Sequence, residues 1–241
     1  MSKGKLRVAV IGGGMIANSA HIPAWQAQSG VELVGVTDNV VEAASATAKR
    51  HNIPGIYSDM EKMLVELKPD VVSVCTPAGC HKAQVVAALQ AGAHVLCEKP
   101  LAIASADVEE MFRVAGKSKR HLLVGQSMRF YNQVSAAKEF AASGQLGEIY
   151  CADASRLRRR GVPTHGSFHV KALSGGGVLY DLGVHMLDLV LWIMGNPKVV
   201  AVSGMTYTKL ANRNEGLITS AAESGAFARA AATRSRACSA N

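Results

Sequence analysis

The first half of the chain alternates short apolar runs with longer segments of helical periodicity. The apolar runs are rich in Val and Ile, which is typical of parallel strands buried on both faces. We predict strands over residues 6–11, 31–37, 56–57, 71–76, 94–97 and 122–124, the third being the weakest. The segments between them favour helices over residues 15–28, 40–51, 59–67, 81–91 and 106–118. This alternation predicts an α/β fold built on a doubly wound parallel sheet.

The rhythm changes after residue 126. A helix over residues 133–143 leads to a strand over 148–157, an apolar helix over 178–194 and another strand over 198–207. This order favours a second, α+β domain. Residues 220–241 are rich in Ala, Ser and Arg without a core pattern and are predicted to be disordered. We therefore expect one domain over residues 1–125, a second over 126–219 and a disordered tail.

Composition narrows the classes of partner. The 241 residues carry a net charge of +8, but the basic residues are scattered apart from 117–120 and 156–160. Aromatic residues make up only 5%, too few for a base-stacking platform, so we expect no nucleic-acid partner. No apolar run looks long enough to cross a bilayer, so no membrane partner is expected. The five cysteines lack zinc-binding spacing, which predicts no metal site and reduced thiols in the cytoplasm.

The segment VAVIGGGMIA joins the first strand to the first helix. It places Gly12, Gly14 and Ala17 in a G-x-G-x-x-A pattern, with Met15 and Ile16 opening the helix. Glycines allow a tight turn and a close approach of the backbone to a pyrophosphate, and the helix N-terminus offers free N–H groups. The flanking strand and helix are the context that this motif requires, so we predict a dinucleotide site.

Asp38 ends the second strand, about 20 residues beyond the glycines. A carboxylate at this point can accept hydrogen bonds from ribose hydroxyls and repels a 2′-phosphate, which favours NAD as the cofactor over NADP. The alternative is an ordinary strand-end aspartate that caps the next helix.

Three polar residues interrupt the apolar helix over residues 178–194. Asp181, His185 and Asp188 follow one another at spacings of four and three, which places them on one helical face. Unpaired buried charge costs several kcal/mol, so this stripe either faces solvent or lines a site. For Asp188 we keep two interpretations open, a role in the site or a pair with a neighbouring basic group.

The segment HVLCEKPLA places Glu98, Lys99 and Pro100 just beyond the fifth strand. In doubly wound sheets the carboxyl ends of the strands face the ligand crevice. A lysine there can stabilise a developing alkoxide or move a proton, whereas a solvated surface group is the usual alternative.

Four segments together resemble one family: VIGGGMIA, TPAGCH, AGAHVLCEKPLA and GGGVLYDLGVHMLDLVLWIMG. Their order and spacing are similar to the Gfo/Idh/MocA family of NAD(P)-dependent oxidoreductases, over residues 6–207. The resemblance implies a Rossmann domain followed by a domain with a mostly antiparallel sheet, which carries the substrate pocket and commonly the interface of a homo-oligomer. It implies hydride transfer between NAD and a secondary alcohol of a sugar, cyclitol or related polyol.

The resemblance also implies roles for individual residues. Lys99 is the counterpart of the family's active-site lysine, and Asp181 and His185 are the counterparts of its catalytic acid and histidine. His185 would act as general base towards the substrate hydroxyl, and Asp181 would orient its ring or share the substrate hydroxyls. Residues expected to contact the cofactor or flank the nicotinamide are Thr76, Pro77, His81, Glu98, Lys99 and Pro100, the last after a cis peptide bond.

The pattern departs from the family near residues 214–224, where an Ala- and Arg-rich stretch replaces expected strands. We therefore expect a shortened version of a longer enzyme, with an incomplete second domain. Two other functions stay open: a glycoside-cleaving enzyme that oxidises its substrate transiently on NAD, and a nucleotide-binding protein without turnover.

Overall fold

The structure, a computed structural model, describes residues 4–157 and 171–207. The chain divides into two compact units, residues 1–126 and 127–241. The predicted disordered tail over residues 220–241 lies outside the described residues.

The first unit is built on a six-stranded sheet in the order β3-β2-β1-β4-β5-β6, with every pair parallel. The strands are β1 (Leu6–Ile11), β2 (Val31–Thr37), β3 (Gly55–Tyr57), β4 (Val71–Val74), β5 (His94–Cys97) and β6 (Leu122–Val124). The predicted doubly wound parallel sheet is confirmed, since this strand order belongs to the Rossmann fold. The chain leaves β1 towards β2 on one side, while β4 pairs with β1 on the other. The carboxyl ends of β1 and β4 therefore form the crevice where such sheets bind ligands.

Helices cover both faces of the sheet. They are α1 (Ile22–Gln26), α2 (Val41–His51), α3 (Met60–Leu67), α4 (Ala78–Gln90) and α5 (Ser105–Ser118). Side chains of β1 alternate between two buried clusters, with Ala9 and Ile11 in one and Val10 in the other. A parallel sheet buried on both faces requires this uninterrupted apolar sequence.

A π-helical turn over Ala17–His21 precedes α1. Pro23 is the second residue of α1, which follows the π-helical turn without a break, and it has no N–H to donate to that turn. The wide turn brings Ala17, His21 and Ile22 to buried positions. The sequence predicts a kink or restart at Pro23 within the helix over residues 15–28, and the structure shows the π-helical turn followed by α1 from Ile22.

The second unit is helical in the part that the structure describes. It contains a 3₁₀ turn (Ser127–Phe130), α6 (Asn132–Ala142), α7 (Lys171–Ser174), a π-helical turn (Leu179–Gly183) and α8 (Val184–Ile193). The predicted strands over residues 148–157 and 198–207 are not formed: both stretches lack hydrogen-bonded strand pairing and are exposed, apart from half-buried Ile149. A strand needs a paired neighbour to satisfy its backbone, and neither stretch has one among residues 127–157 and 171–207. The predicted antiparallel sheet is thus not confirmed.

The helical stretch Lys171–Ile193 corrects the expectation that no segment is long and apolar enough to cross a membrane. It has 23 residues and meets that criterion by length and composition. The sequence pattern misses this because it begins the helix at Val178. Core helices pass the same criterion, and two aspartates and a histidine within the stretch would be costly in a bilayer. The stretch is therefore weak evidence for a membrane span.

Candidate functional site

The predicted cofactor residues lie where strands β1, β2, β4 and β5 end. Gly12 follows β1, Asp38 follows β2, Thr76 lies two residues beyond β4, and Glu98 and Lys99 follow β5. Because parallel strands end at the same edge, the sheet brings these residues to one rim of the first unit.

Gly12 has a conformation that only glycine adopts easily. Its φ is +96°, and its N–H donates to the Thr37 carbonyl at 2.8 Å. A Cβ at this position would lie 3.0 Å from the Cys75 carbonyl carbon and 3.0 Å from Thr76 Cγ2. The first glycine of the motif is therefore required by the packing of the β1 end against the β4 end.

Gly13 joins the turn to Asp38. Its N–H donates to Asp38 Oδ2 at 2.8 Å, and a Cβ there would lie 3.0 Å from both the Ala43 carbonyl oxygen and Thr47 Oγ1. The other carboxylate oxygen of Asp38 accepts from Val40 N–H at 2.9 Å. Asp38 thus bridges the glycine turn and the approach to α2. A carboxylate offers about four lone-pair sites, so capacity for ribose hydroxyls is left.

Side chains that the sequence motif does not identify support the glycine turn. Asn18 Nδ2 donates to the carbonyl oxygens of Gly13 and Gly14 at 2.8 and 2.9 Å, and its Oδ1 accepts from His51 Nε2 at 3.0 Å. Thr47, which is 2% exposed, also donates to the Gly13 carbonyl at 3.0 Å. These contacts fix the backbone of the glycine turn. In the sequence, Asn18, Thr47 and His51 are recognisable only as polar residues on otherwise apolar helical faces.

Gly14 and the residues after it form the accessible side of the turn. Gly14 and Met15 are exposed, Ile16 is half-buried and Ala17 is fully buried against the core. A Cβ at Gly14 would meet no atom within 4 Å. Unlike Gly12, Gly14 is therefore not required by packing within the chain, and it leaves open space at the start of a helix, where N–H groups are available to an anion.

The TPAGCH segment is fixed by His81, which lies in the first turn of α4 and is 0% exposed. Its Nε2 is 2.8 Å from the Thr76 carbonyl oxygen and its Nδ1 is 3.0 Å from the Pro100 carbonyl oxygen. The Thr76 hydroxyl donates to Gln84 Oε1, and Pro77 is the N-cap residue of α4. His81 thus holds two rim loops together. The helix begins at Ala78, three residues earlier than the sequence predicts.

The predicted Glu98–Lys99–Pro100 segment follows β5 directly, and the Lys99–Pro100 peptide bond is cis, as the family resemblance implies. Glu98 is 14% exposed and accepts from His21 Nε2 at 2.9 Å and from its neighbour's amide, Lys99 N–H, at 3.0 Å. Burial pushes the pKa of Glu98 upwards, but the hydrogen bond and charge of His21 and the Lys99 amide outweigh burial and hold that pKa below its ordinary value. Glu98 is therefore a carboxylate at neutral pH.

Two cysteines lie beside this carboxylate. Burial raises the pKa of the Cys75 thiol, and the charge of Glu98 raises it further. Cys97, at the end of β5, shows the same direction, with burial again the largest cause. Both residues are free thiols rather than reactive thiolates.

Asp181 and His185 belong to the second unit. Asp181 lies in the π-helical turn Leu179–Gly183, and His185 is the second residue of α8. π-Helical turns are rare and frequently occur at functional sites. The other such turn in the described part of the chain, Ala17–His21, carries the last residue of the glycine motif.

Asp188, the third polar residue of the predicted stripe, forms an ion pair. Arg129 donates to both of its carboxylate oxygens, from Nε at 2.8 Å and from Nη2 at 2.6 Å. The Arg129 guanidinium also lies 5.3 Å from the ring centroid of Trp192. Of the two interpretations kept open for Asp188, the structure shows the pair with a basic group.

We expect Asp188→Asn to destabilise the second unit by about 1–3 kcal/mol, because it removes one of two charge-assisted hydrogen bonds and leaves Arg129 partly unpaired. Urea unfolding followed by tryptophan fluorescence measures this loss. Lys62→Gln is the control, because Lys62 Nζ lies 3.9 Å from Glu66 in an exposed pair, where the expected change is below about 0.5 kcal/mol. Equal effects of the two substitutions would contradict a structural role for the Asp188 pair.

The described residues of the first unit suit a dinucleotide. An open glycine turn begins a helix, a carboxylate ends the neighbouring strand, and both lie at the crevice between β1 and β4. Among residues 4–157 and 171–207, no group of three His, Cys, Asp or Glu side chains is arranged to hold a metal ion. The fold and the site thus define an NAD-binding Rossmann domain.

Comparison with known proteins gives the family. Residues 6–126 match the model of the GFO/IDH/MocA oxidoreductase family with its NAD-binding Rossmann fold, and residues 134–240 match a GFO/IDH/MocA C-terminal domain. The chain belongs to this family, and the resemblance inferred from its motifs is confirmed.

Individual proteins similar to this chain support the same family assignment. D-glucoside 3-dehydrogenase of Escherichia coli K12 is 39% identical over 210 residues, which cover 87% of this chain and 60% of the relative. The solved structure of GenD2 from gentamicin A biosynthesis, in complex with NAD, matches with a TM-score of 0.71 at 26% identity, covering 82% of this chain and 56% of that one. The WlbA dehydrogenase of Chromobacterium violaceum, in complex with NADH and UDP-GlcNAcA, matches with a TM-score of 0.72 at 28% identity, covering 81% and 57%. The chain thus spans little more than half the length of these relatives.

Proposed function

We propose that this protein is an NAD-dependent dehydrogenase that oxidises a secondary hydroxyl group of a sugar, cyclitol or related polyol. The observation that carries the proposal is the convergence of the glycine turn, Asp38 and the Glu98–Lys99 segment at one rim of the sheet. The similarity to a D-glucoside 3-dehydrogenase supports the substrate class. A cytoplasmic homo-oligomer is part of the same proposal.

The first unit supplies the cofactor site in this proposal. The backbone of Gly12 and Gly14 and the N–H groups from Met15 to Ala17 hold the pyrophosphate, and Asp38 accepts hydrogen bonds from the ribose. A carboxylate at this position disfavours a 2′-phosphate, so NAD is preferred over NADP. Thr76, Pro77, His81 and Pro100 flank the nicotinamide. Bound NAD supplies the hydride acceptor.

Three side chains handle the substrate hydroxyl. His185 takes its proton as general base, because imidazole titrates close to neutral pH. Lys99 donates a hydrogen bond to the oxygen and stabilises the negative charge that develops on it. Asp181 orients the imidazole or binds a neighbouring hydroxyl of the substrate.

The proposal is tested by incubating the purified chain with NAD and a panel of methyl glucosides, free hexoses, inositols and acyclic polyols. We expect NADH to accumulate, as measured by absorbance at about 340 nm, with at least one ring polyol, and more weakly or not at all with NADP. Calorimetric titration with NAD alone runs beside the assay.

Each alternative predicts a different result. Cleavage of a glycoside without net formation of NADH would show that the protein is a glycoside-cleaving enzyme and not a dehydrogenase. NAD binding without turnover of any substrate would make the chain a nucleotide-binding protein. Either result would overturn the proposal.

A further inference from the structure

A buried network of hydrogen bonds connects His21 and Ser73 to Glu98, which accepts from the Lys99 amide. The proposed reaction gives no role to His21 or Ser73. His21 Nδ1 is 2.6 Å from Ser73 Oγ, and His21 Nε2 is 2.9 Å from Glu98 Oε1. Ser73 is 0% exposed and His21 is 8% exposed. Trp25 Nε1 also donates to Ser73 Oγ, at 3.4 Å. Four side chains from the first helix and from β4 and β5 thus form one network within the first unit.

The hydrogen-bonding groups of this network are complementary. The Glu98 carboxylate only accepts, so His21 Nε2 carries a hydrogen atom. Trp25 only donates, so the Ser73 oxygen accepts from it. The contact between Ser73 Oγ and His21 Nδ1 joins these two hydrogen bonds into one path from Trp25 to Glu98.

The network ends on the backbone of Lys99. The second oxygen of Glu98, Oε2, accepts from Lys99 N–H at 3.0 Å, while Glu98 N–H donates to the Val74 carbonyl at 2.9 Å. Glu98 is thus anchored to β4 through its backbone, to His21 through one oxygen and to the Lys99 amide through the other. Glu98 thus links the His21 imidazole to the Lys99 backbone.

Local helix geometry places His21 inside the protein. His21 is the last residue of the π-helical turn Ala17–His21, whose wider winding is closed by Ile22 N–H donating to the Ala17 carbonyl. Ala17 and His21 lie four residues apart on one helical face and are buried together with Ile22. An imidazole in the core needs polar partners, and Ser73 and Glu98 are those partners.

We propose that His21, with Ser73 and Glu98, is a positioning device that fixes the Lys99 backbone and thereby aims the Lys99 ammonium at the substrate oxygen. The proposal rests on the proposed dehydrogenase function for its catalytic consequence. His21 acts through Glu98 and does not touch the substrate or the cofactor. The same geometry makes Ser73 a second positioning residue, which fixes the imidazole ring from its other side.

Amide hydrogen–deuterium exchange at Lys99 tests the device without substrate. In His21→Leu we expect the Lys99 amide to exchange about tenfold faster or more, because its carboxylate acceptor is released. His21→Gln keeps a neutral N–H donor and should bring exchange back towards the wild-type rate. Ser73→Ala removes the bond to His21 Nδ1 and the long bond from Trp25 but keeps the bond between His21 and Glu98, so it should act in the same direction more weakly. This variant keeps the test available if His21→Leu does not fold.

His94→Leu is the matched control. His94 is a half-buried histidine at the other end of β5, where its Nδ1 accepts from His121 N–H at 2.9 Å. Its removal should lower thermal stability but leave the exchange rate at Lys99 unchanged.

The kinetic arm uses the same variants with NAD and the best polyol substrate. We expect His21→Leu to lower kcat about 10- to 100-fold, with the Kd for NAD within about threefold of wild type, because a misaimed lysine costs turnover rather than cofactor binding. His21→Gln should restore part of kcat.

The outcomes separate the two proposals. Faster Lys99 exchange together with a selective loss of kcat supports the device. Unchanged Lys99 exchange in folded His21→Leu, or a loss of Lys99 protection equal to that in His94→Leu, overturns it. A wild-type chain that turns over no polyol removes the proposed function, but the exchange experiment still decides whether His21 holds the Lys99 backbone.

Discussion

Replacing Gly12 with alanine is expected to destabilise the first unit by about 2–4 kcal/mol and to weaken NAD binding strongly. Two effects add. The backbone at φ +96° disfavours any side chain, and the new Cβ would lie 3.0 Å from the Cys75 carbonyl carbon, which is backbone and cannot rotate away. The β1 end must therefore shift away from the β4 end, and the crevice distorts with it. Urea unfolding and calorimetric titration with NAD measure the two losses.

Gly14→Ala separates an effect on the stability of the first unit from an effect on NAD binding. A Cβ at Gly14 meets nothing within 4 Å, so the free energy of unfolding should change by less than about 1 kcal/mol. If the pyrophosphate lies against this turn, the added methyl group still weakens NAD binding, about tenfold or more. Gly30→Ala, which also has open space around it, is expected to change neither property. Equal loss of stability in Gly12→Ala and Gly14→Ala would show that the turn is not built as described.

The sheet and its rim could be predicted from the sequence because their signals are local. Buried parallel strands require uninterrupted apolar runs, and a turn at positive φ requires glycine, so the strands and Gly12 are visible in the residue pattern. The Glu98–Lys99–Pro100 segment follows from its place after β5. Each of these features has its signal within a short stretch of the sequence.

The supports of the site depend on long-range contacts and could not be predicted in this way. His21 contacts Ser73 and Glu98, which lie 52 and 77 residues further along the chain, and the sequence around His21 does not indicate these partners. Asn18 and Thr47 each provide one polar group that is useful only once the glycine turn has formed. The strands predicted after residue 147 failed for a related reason, because alternating sequence favours extended backbone but pairing requires a partner strand.

Lys99→Met is expected to lower kcat about 10²- to 10⁴-fold, the range for removing a positioned group that stabilises charge in the transition state. The substitution keeps the length of the aliphatic stem and the Lys99 amide that Glu98 holds. The Kd for NAD should change far less than kcat. Lys117→Met, on the exposed surface of α5, is the matched control and should leave kcat unchanged. A loss confined to KM would show that Lys99 only binds substrate.

His185→Asn tests whether the second unit contributes to the same reaction. Asparagine keeps a hydrogen-bonding side chain but cannot accept the hydroxyl proton, so kcat should again fall by about 10²-fold or more. The decisive measurement is the double variant with Lys99→Met. Groups that act on one oxygen in one transition state are strongly non-additive, so the double variant should lose much less than the product of the two single losses. If the two losses multiply, the ammonium and the imidazole contribute independently, which contradicts their joint action on one carbinol oxygen.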